Sequence, residues 1–435
     1  AGNFNLTNAH ELFDNYARHG AFPTSKADGY LICELIAKEL GGPTSVSAAA
    51  GTEPDPPVAN ALANALKNAD GAWTLCGATG DGWAFATRDP CGIRPGFYYV
   101  DENVVVVASE RPAIQAAFDV PPEAVKELPP GKALVVSPSG VVLMSELSSG
   151  IKANLRPCSF ERIYFSRAND ADIHRERKAL GAALLPQILQ AADAPLEDIF
   201  FSYIPNSARI AFHGLLERLF DEHGKIRFGE VAVKDAKFRT FIADAAARRE
   251  FYKHVYDVTY GLVRPGLDTL VVLDDSIVRG NTMKNAILPM LDRLGPKRIV
   301  VASSAPPIRY PDCYGIDMST LDELVAFRAL VNLLGGRDAL AAAVKLSVAT
   351  SATLPELYAR FSEEEHIAEI ARLLTPPGMK AEVRVVYQTV DALHAACPVS
   401  SGDWYFTGDY PTPGGYKVLH QALLNYLDHK SGRSY

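Results

Sequence analysis

The chain has 435 residues, which at roughly 150 per domain predicts two or three domains and excludes a single small module. Usage is ordinary for a globular protein at 48% apolar and 22% charged, and 43 basic against 51 acidic residues leave a net charge of −8. With no Lys/Arg-rich run, a nucleic-acid stripe and a membrane-surface patch are both disfavoured. The six cysteines (Cys33, Cys76, Cys91, Cys158, Cys313 and Cys397) are widely spaced and form no C-x-x-C pair. That pattern argues against a zinc site or a secreted disulfide framework and fits a reducing, cytoplasmic setting. The first thirty residues carry no targeting pattern, and no apolar run reaches the roughly 18 residues of a spanning helix. A soluble protein without nucleic-acid or membrane partners is expected.

In chain order, Thr7 is read as the cap of a helical stretch through Tyr16. Asp28 opens a second helix whose apolar positions Leu31, Cys33, Leu35 and Ile36 lead to the stop at Gly41-Gly42, so Cys33 is expected in the core. Short turn-punctuated strands follow at 72–78, 82–88, 97–100, 104–108, 133–137 and 141–144, a hairpin-rich sheet carrying helices. From Glu161 the rhythm changes. Strands at 162–165, 199–204, 230–233, 269–273 and 298–303 alternate with helices starting near Asp172, Ser207 and Thr282, which predicts a parallel sheet covered on both faces. The remainder is mostly helical, with a strand near 382–387 and a final helix from Tyr416. The expected organisation is therefore 1–150, 151–345 and a helical tail over 346–435 packed on the second unit.

The most informative segment is Leu270-Val271-Val272-Leu273-Asp274-Asp275-Ser276-Ile277-Val278-Arg279-Gly280-Asn281-Thr282. An apolar strand runs into two carboxylates, a small-residue loop and a helix start. Backbone N–H groups from Ser276 to Thr282, with the positive end of the following helix, suit a monophosphate, and Gly280 permits close approach. The adjacent acids would repel that phosphate. They suit sugar hydroxyls or Mg²⁺, the hard ion that accompanies a pyrophosphate. The bland alternative is an acidic turn capped by Thr282.

This segment resembles the phosphoribosyl-diphosphate (PRPP) fingerprint of type I phosphoribosyltransferases, and its S-I-V-R-G centre resembles that of the glutamine PRPP amidotransferase family. Several other segments are similar to that family in order: Cys158-Ser159-Phe160-Glu161-Arg162-Ile163-Tyr164-Phe165-Ser166-Arg167 as a domain-joining strand, Ala305 through Pro311, Tyr314 through Met318, and Phe406 through Thr412. Arg88 through Pro95 and Ser109-Glu110 resemble the family's glutaminase domain. The resemblance implies an α/β and α+β fold, with a partial glutaminase sandwich of the N-terminal-nucleophile (Ntn) type followed by a type I phosphoribosyltransferase domain. It implies a pentosyltransferase that makes 5-phosphoribosylamine and pyrophosphate from PRPP and glutamine-derived ammonia, the first step of de novo purine synthesis.

Residue by residue, Ile204-Pro205-Asn206-Ser207-Ala208 stands in the family's pyrophosphate loop, with Asn206 in place of the usual acid. The resemblance assigns Ser207, Asp274 and Asp275 to the Mg²⁺ site. It assigns Ser207, Ser276, Ile277, Val278, Arg279, Gly280, Asn281 and Thr282 to PRPP binding; Asn281 replaces a Thr. Lys234, Lys237 and Arg239 match the loop that closes over PRPP, where Lys237 binds substrate while Lys234 and Arg239, like the two aspartates, act in catalysis. Fixed cations there stabilise departing pyrophosphate, and closure keeps water from an oxocarbenium-like C1. A solvated basic face is the plain alternative for each.

The family's glutaminase uses an N-terminal Cys nucleophile, whereas residue 1 is Ala and no Cys precedes Cys33. Asn3-Phe4-Asn5-Leu6-Thr7-Asn8 resembles the oxyanion segment, so the nucleophile segment is expected to be missing and turnover to depend on supplied ammonia. Asn3 is the expected surviving oxyanion donor and Asp28 the anchor for the glutamine amino group. Some members hold an iron–sulfur cluster on four cysteines. Here the matching positions are Cys158, Asp312, Gly402 and Tyr405, so no cluster is expected and Cys158 and Cys313 read as buried thiols. Purine nucleotides as feedback inhibitors and a homo-oligomer complete the implied picture. A PRPP-sensing regulator without turnover, or a nucleobase phosphoribosyltransferase, are the competing readings. The acidic composition speaks against the first, and the S-I-V-R-G core against the second.

Overall fold

A computed structural model describes residues 1–20, 24–41, 56–147, 155–234, 256–316, 318–350, 354–430 and 432. The N-terminal unit contains strands β1 (Gly2–Leu6), β2 (Gly71–Ala78), β3 (Ala84–Arg88), β4 (Phe97–Val100), β5 (Val105–Ala108), β6 (Lys126–Glu127), β7 (Lys132–Val136) and β8 (Val142–Glu146). They form two antiparallel sheets, ordered β1-β2-β3-β7-β8 and β5-β4-β6. Alternation along β7 sorts its faces. Ala133 and Val135 join Leu6, Leu31, Leu62 and Trp73 under the helices Asp28–Gly41 and Pro57–Leu66, whereas Leu134 meets Ala86 and Leu128 on the side of the second sheet.

Two local expectations change here. The first helix is Ala9–Arg18, and Thr7 does not cap it. Its hydroxyl donates to the Asp70 carboxylate at 2.5 Å, because residues 2–6 form a strand that lies against β2. Cys33 is exposed rather than in the core, since the helix buries Leu31, Ile32 and Ile36 and position 33 turns away from that stripe.

The second unit is built on a parallel sheet of β9 (Ile199–Tyr203), β10 (Arg227–Phe228), β13 (Thr269–Asp274), β14 (Arg298–Ser303) and β15 (Glu382–Tyr387), ordered β10-β9-β13-β14-β15. A separate antiparallel pair, β11 (Ala232–Lys234) and β12 (Tyr256–Val258), completes the strand list. The predicted strand at 230–233 thus lies in that pair, and the short Arg227–Phe228 takes the sheet edge. The central strands are apolar throughout because both faces are covered. Leu270, Val272, Ile299 and Val301 pack with Val325, Ile370 and Leu374; Val271, Leu273, Val300 and Ala302 pack with Leu184, Ile188 and Leu215. Helices Ala171–Ala183 and Arg209–His223 cross backbone to backbone: a Cβ on Gly181 would lie 1.7 Å from the Ala211 carbonyl oxygen. That contact fixes where the second helix begins, just after Ser207. The strand read within the tail, Glu382–Tyr387, is the far edge of this sheet.

The domain-joining segment is not the expected strand. Residues Glu161–Phe165 form a π-helical turn closed by the Ser166 N–H on the Glu161 carbonyl at 3.0 Å, and Cys158 lies in an isolated bridge to Gly402, outside any strand. The turn is held by side chains from elsewhere. The Arg177 guanidinium donates to the carbonyls of Arg162 (2.8 Å) and Ser166 (2.7 Å), and Arg94 pairs with Glu161 at 3.1 Å. Further polar contacts join the units: Asn5 Nδ2 to the Cys313 carbonyl at 2.7 Å, and Asp70 to the Thr412 hydroxyl at 2.5 Å and the Gly414 N–H at 2.9 Å. Among the described residues no helix is long and apolar enough to cross a membrane.

Candidate functional site

Two neighbouring parallel strands, β9 and β13, end at the same edge of the sheet and deliver the site. Beyond β9, Ile204 N–H still donates to the Leu273 carbonyl at 2.8 Å, so the turn Pro205-Asn206-Ser207 lies directly beside the carboxylates after β13; the Pro205–Asn206 peptide is cis. Ser207 Oγ donates to Asp275 Oδ2, and Ser276 Oγ donates to Asp275 Oδ1 at 2.9 Å. Asp274 Oδ1 accepts the Asp275 N–H at 3.0 Å. Ser304, after the next strand, ties the backbone down: its N–H donates to the Asp274 carbonyl (2.9 Å) and its hydroxyl to the Asp275 carbonyl (3.1 Å).

This arrangement loads the two acids unequally. Burial and the charge of Asp275 both push Asp274 well above the usual carboxylate range, with only one backbone N–H opposing them. Burial also raises Asp275, but the hydroxyls of Ser207 and Ser276 and the positive charge of Arg177 oppose it. Two crowded carboxylates beside a serine hydroxyl are hard oxygen donors that a divalent cation would relieve, and the set fits Mg²⁺. The shell from protein is partial: among the described residues no three His, Cys, Asp or Glu side chains converge on one point.

After the acids, Ile277 is buried and anchors the loop into the core shared with Val325 and Leu374. Gly280 has φ +72°, a conformation that a Cβ disfavours, and its carbonyl accepts the Lys284 N–H at 2.9 Å. Asn281 and Thr282 are exposed at the start of the helical stretch that continues through the π turn Met283–Ile287 and the helix Leu288–Asp292. Ser207, Asp274, Asp275 and Ser276 are thus brought together beside the loop Ile277, Val278, Arg279, Gly280, Asn281 and Thr282. Lys234 ends β11, and Lys237 and Arg239 lie outside the described residues.

The glutamine-site residues predicted from sequence lie in the N-terminal unit. Asn3 is exposed on β1, while Asp28 Oδ2 accepts the Leu6 N–H at 2.8 Å, tying the helix start to that strand. Residues that sequence reading did not single out are Ser304, Arg177, Arg328 and Tyr387. None belongs to a contiguous motif; each reaches the site's surroundings from a distant segment.

The four positions matching cluster ligands form a packed polar joint. Tyr405 Oη accepts from Phe160 N–H (2.7 Å) and reaches the Gly402 carbonyl (3.0 Å), Ser159 Oγ (2.9 Å) and Cys158 Sγ (3.4 Å). Asp312 accepts from Trp404 Nε1 (2.9 Å) and the N–H groups of Tyr314 (2.9 Å) and Ile316 (2.6 Å). Burial pushes the Cys158 thiol up to about 12 and Cys313 well above its ordinary value, so both rest as protonated thiols in this packed joint.

No protein-family model matches the chain. It is 28% identical to the amidophosphoribosyltransferase of Methanocaldococcus jannaschii over 344 residues, covering 75% of this chain and 67% of that protein. It is 31% identical to that of Bacillus subtilis over 334 residues, covering 75% and 62%, and 29% identical to that of Escherichia coli over 342 residues, covering 75% and 63%. The chain spans between 60% and 69% of the length of the curated relatives it matches. Among solved structures, the glutamine PRPP amidotransferase from B. subtilis complexed with ADP and GMP superposes with a TM-score of 0.65 at 26% identity, covering 95% of this chain and 76% of that one. A second, described as the allosteric regulatory enzyme of purine biosynthesis, gives a TM-score of 0.65 at 26% identity, covering 95% and 75%. Both units take part in that superposition, and the loop, the paired acids and the facing serine occur in the order the resemblance requires: over three quarters of its length the chain is similar to amidophosphoribosyltransferases, and it shares their fold.

Proposed function

We propose that this chain converts PRPP and ammonia, drawn from glutamine where a glutaminase site supplies it, to 5-phosphoribosylamine and pyrophosphate, the first step of de novo purine synthesis. The observation that carries the proposal is the convergence of Ser207 with Asp274 and Asp275 at the ends of adjacent parallel strands, beside a loop shaped for a phosphate. In this reading the loop from Ser276 to Thr282 holds the 5′-phosphate through backbone N–H groups. Ser207, Asp274 and Asp275 would hold Mg²⁺ against the pyrophosphate, and when bound that ion supplies neutralisation of the leaving group's charge. The ammonia lone pair forms the C1–N bond as the C1–O bond breaks, its electron pair departing with pyrophosphate, and the nitrogen then loses a proton to solvent.

Lys234, Lys237 and Arg239 are assigned by kinship to the loop that closes over PRPP, and Asn3 and Asp28 to oxyanion and glutamine contacts. The same kinship supports purine nucleotides as regulators, a homo-oligomeric assembly and a cytoplasmic setting. The test is pyrophosphate release from PRPP with ammonium as nitrogen donor. Asp275→Asn, which removes one oriented charge contact, is expected to lower that rate about a hundredfold. PRPP binding with no pyrophosphate release would replace the enzyme reading with that of a PRPP-sensing regulator.

A further inference from the structure

The back of the phosphate loop is gripped by helices that come from beyond the parallel-sheet core. Val325 N–H, at the start of the helix Val325–Leu334, donates to the Val278 carbonyl at 2.9 Å. One turn later, Arg328 Nη2 donates to the Arg279 carbonyl. Glu323 pairs with the Arg279 side chain at 2.7 Å, and Lys284 Nζ reaches the Leu373 carbonyl at 2.8 Å.

The peptide plane gives these anchors a consequence on the other side of the loop. In a trans peptide the carbonyl and the following N–H point in opposite directions. Pinning the Val278 carbonyl toward the helix turns the Arg279 N–H away from it, and pinning the Arg279 carbonyl turns the Gly280 N–H away as well. Two consecutive amide donors are thereby aimed toward the side of the loop facing away from the helix, the arrangement that binds an anion. The first anchor is a backbone group that any residue at 325 would supply. The second depends wholly on the side chain of Arg328.

Arg328 is also chemically unusual for a structural arginine. Its Nε is buried and has no hydrogen-bond partner among the described residues, and the carboxylate that acts on it, Asp322, does so through space without a hydrogen bond among the described residues. The guanidinium charge therefore sits close to the loop, offset only at longer range by the Asp322 carboxylate. A dianionic phosphate on the far side of the loop would be attracted by it as well as by the aligned amides.

We propose that Arg328 is a positioning residue of the 5′-phosphate subsite, fixing the orientation of the Arg279 and Gly280 amides and adding positive potential behind them. The proposal rests on the PRPP reading and refines it, because it concerns the ribose-phosphate half of the ligand and not the pyrophosphate half. The two halves can be supplied separately. Ribose 5-phosphate and inorganic pyrophosphate, each titrated calorimetrically with Mg²⁺ present into the full chain, report on the two subsites.

Arg328→Met keeps the aliphatic stem and removes the donors and charge. It is expected to weaken ribose 5-phosphate about tenfold to a hundredfold, the range for a charge-assisted hydrogen bond, while pyrophosphate affinity changes less than about twofold. Arg328→Lys, which retains charge and a single donor, is expected to lose less than the Met variant. Should the Met variant fail to fold, Arg328→Gln carries the same comparison. Unchanged ribose 5-phosphate affinity in a folded variant, or equal loss of both ligands, would overturn the role of Arg328 while leaving the PRPP reading intact. A wild-type chain that binds neither ligand would overturn the PRPP reading, and this refinement with it.

Discussion

Replacing Asp274 by Asn should make the ligand-free protein more stable while disabling it. Asp274 and Asp275 are sequential carboxylates at the end of a buried strand, and the 3.0 Å contact between Asp274 Oδ1 and the Asp275 N–H places both charges close together. Two full charges roughly 5–6 Å apart at an effective dielectric near 20 repel by about 3 kcal/mol. Asp274 is partly open to solvent, which screens some of this, so a gain of roughly 1–2 kcal/mol is expected on neutralising it. For a domain of this size that corresponds to about 2–6 °C in thermal midpoint. The sign of the pH dependence follows from the raised carboxyl. A carboxylate whose folded value lies above its unfolded one carries no penalty below the unfolded value, and stability falls as pH rises between the two. The advantage of Asp274→Asn should therefore be full above the raised carboxyl's range and vanish as pH falls to the unfolded carboxylate value of about 4. Paired thermal melts of wild type and variant without Mg²⁺ or PRPP, at several pH values, measure it, and a turnover assay should show the accompanying loss of about a hundredfold. A variant no more stable than wild type at pH 8, or as strongly favoured near pH 4 as at pH 8, would refute the reasoning that the site stores charge repulsion for a cation to relieve.

Gly280→Ala should weaken PRPP binding by about tenfold, because a side chain at φ +72° costs roughly 1–2 kcal/mol and its Cβ would lie 2.3 Å from Leu374 Cδ2; equilibrium binding of PRPP checks it. Asp70→Ala removes the acceptor for the hydroxyls of Thr7 and Thr412 and the N–H of Gly414, and a loss of about 2–3 kcal/mol is expected as a lower thermal midpoint, with earlier proteolysis between the units as a second readout. Protein purified without oxygen should be colourless with iron well below one equivalent. Tyr405 and Asp312 fill their places with satisfied hydrogen bonds, and a stoichiometric brown chromophore would overturn that account.

What could be read from the sequence was what contiguous residues determine. The run from Leu270 to Thr282 declares a buried strand, a paired-acid turn and a phosphate loop because composition, period and turn chemistry all lie within thirteen neighbouring positions. The central strands Thr269–Asp274 and Arg298–Ser303, and even Glu382–Tyr387, were legible for the same reason. The tertiary structure decided whatever depends on partners remote in the chain. Cys33 sits in an apolar stretch, yet it faces solvent because the helix chooses its buried stripe against Trp73 and Leu6. Residues 161–165 have strand-like composition, yet they coil into a π turn because Arg177 and Arg94 offer them partners that an extended chain could not reach. Ser207 becomes a neighbour of Asp275 across 68 positions only through the parallel pairing of β9 with β13, and Arg328 comes to hold the Arg279 carbonyl only through helix packing. Local propensity fixes backbone conformation and the spacing of buried faces, but a contact between distant side chains leaves no mark on the segment of either one. Its energy exists only once the sheet order and helix packing have brought the two together.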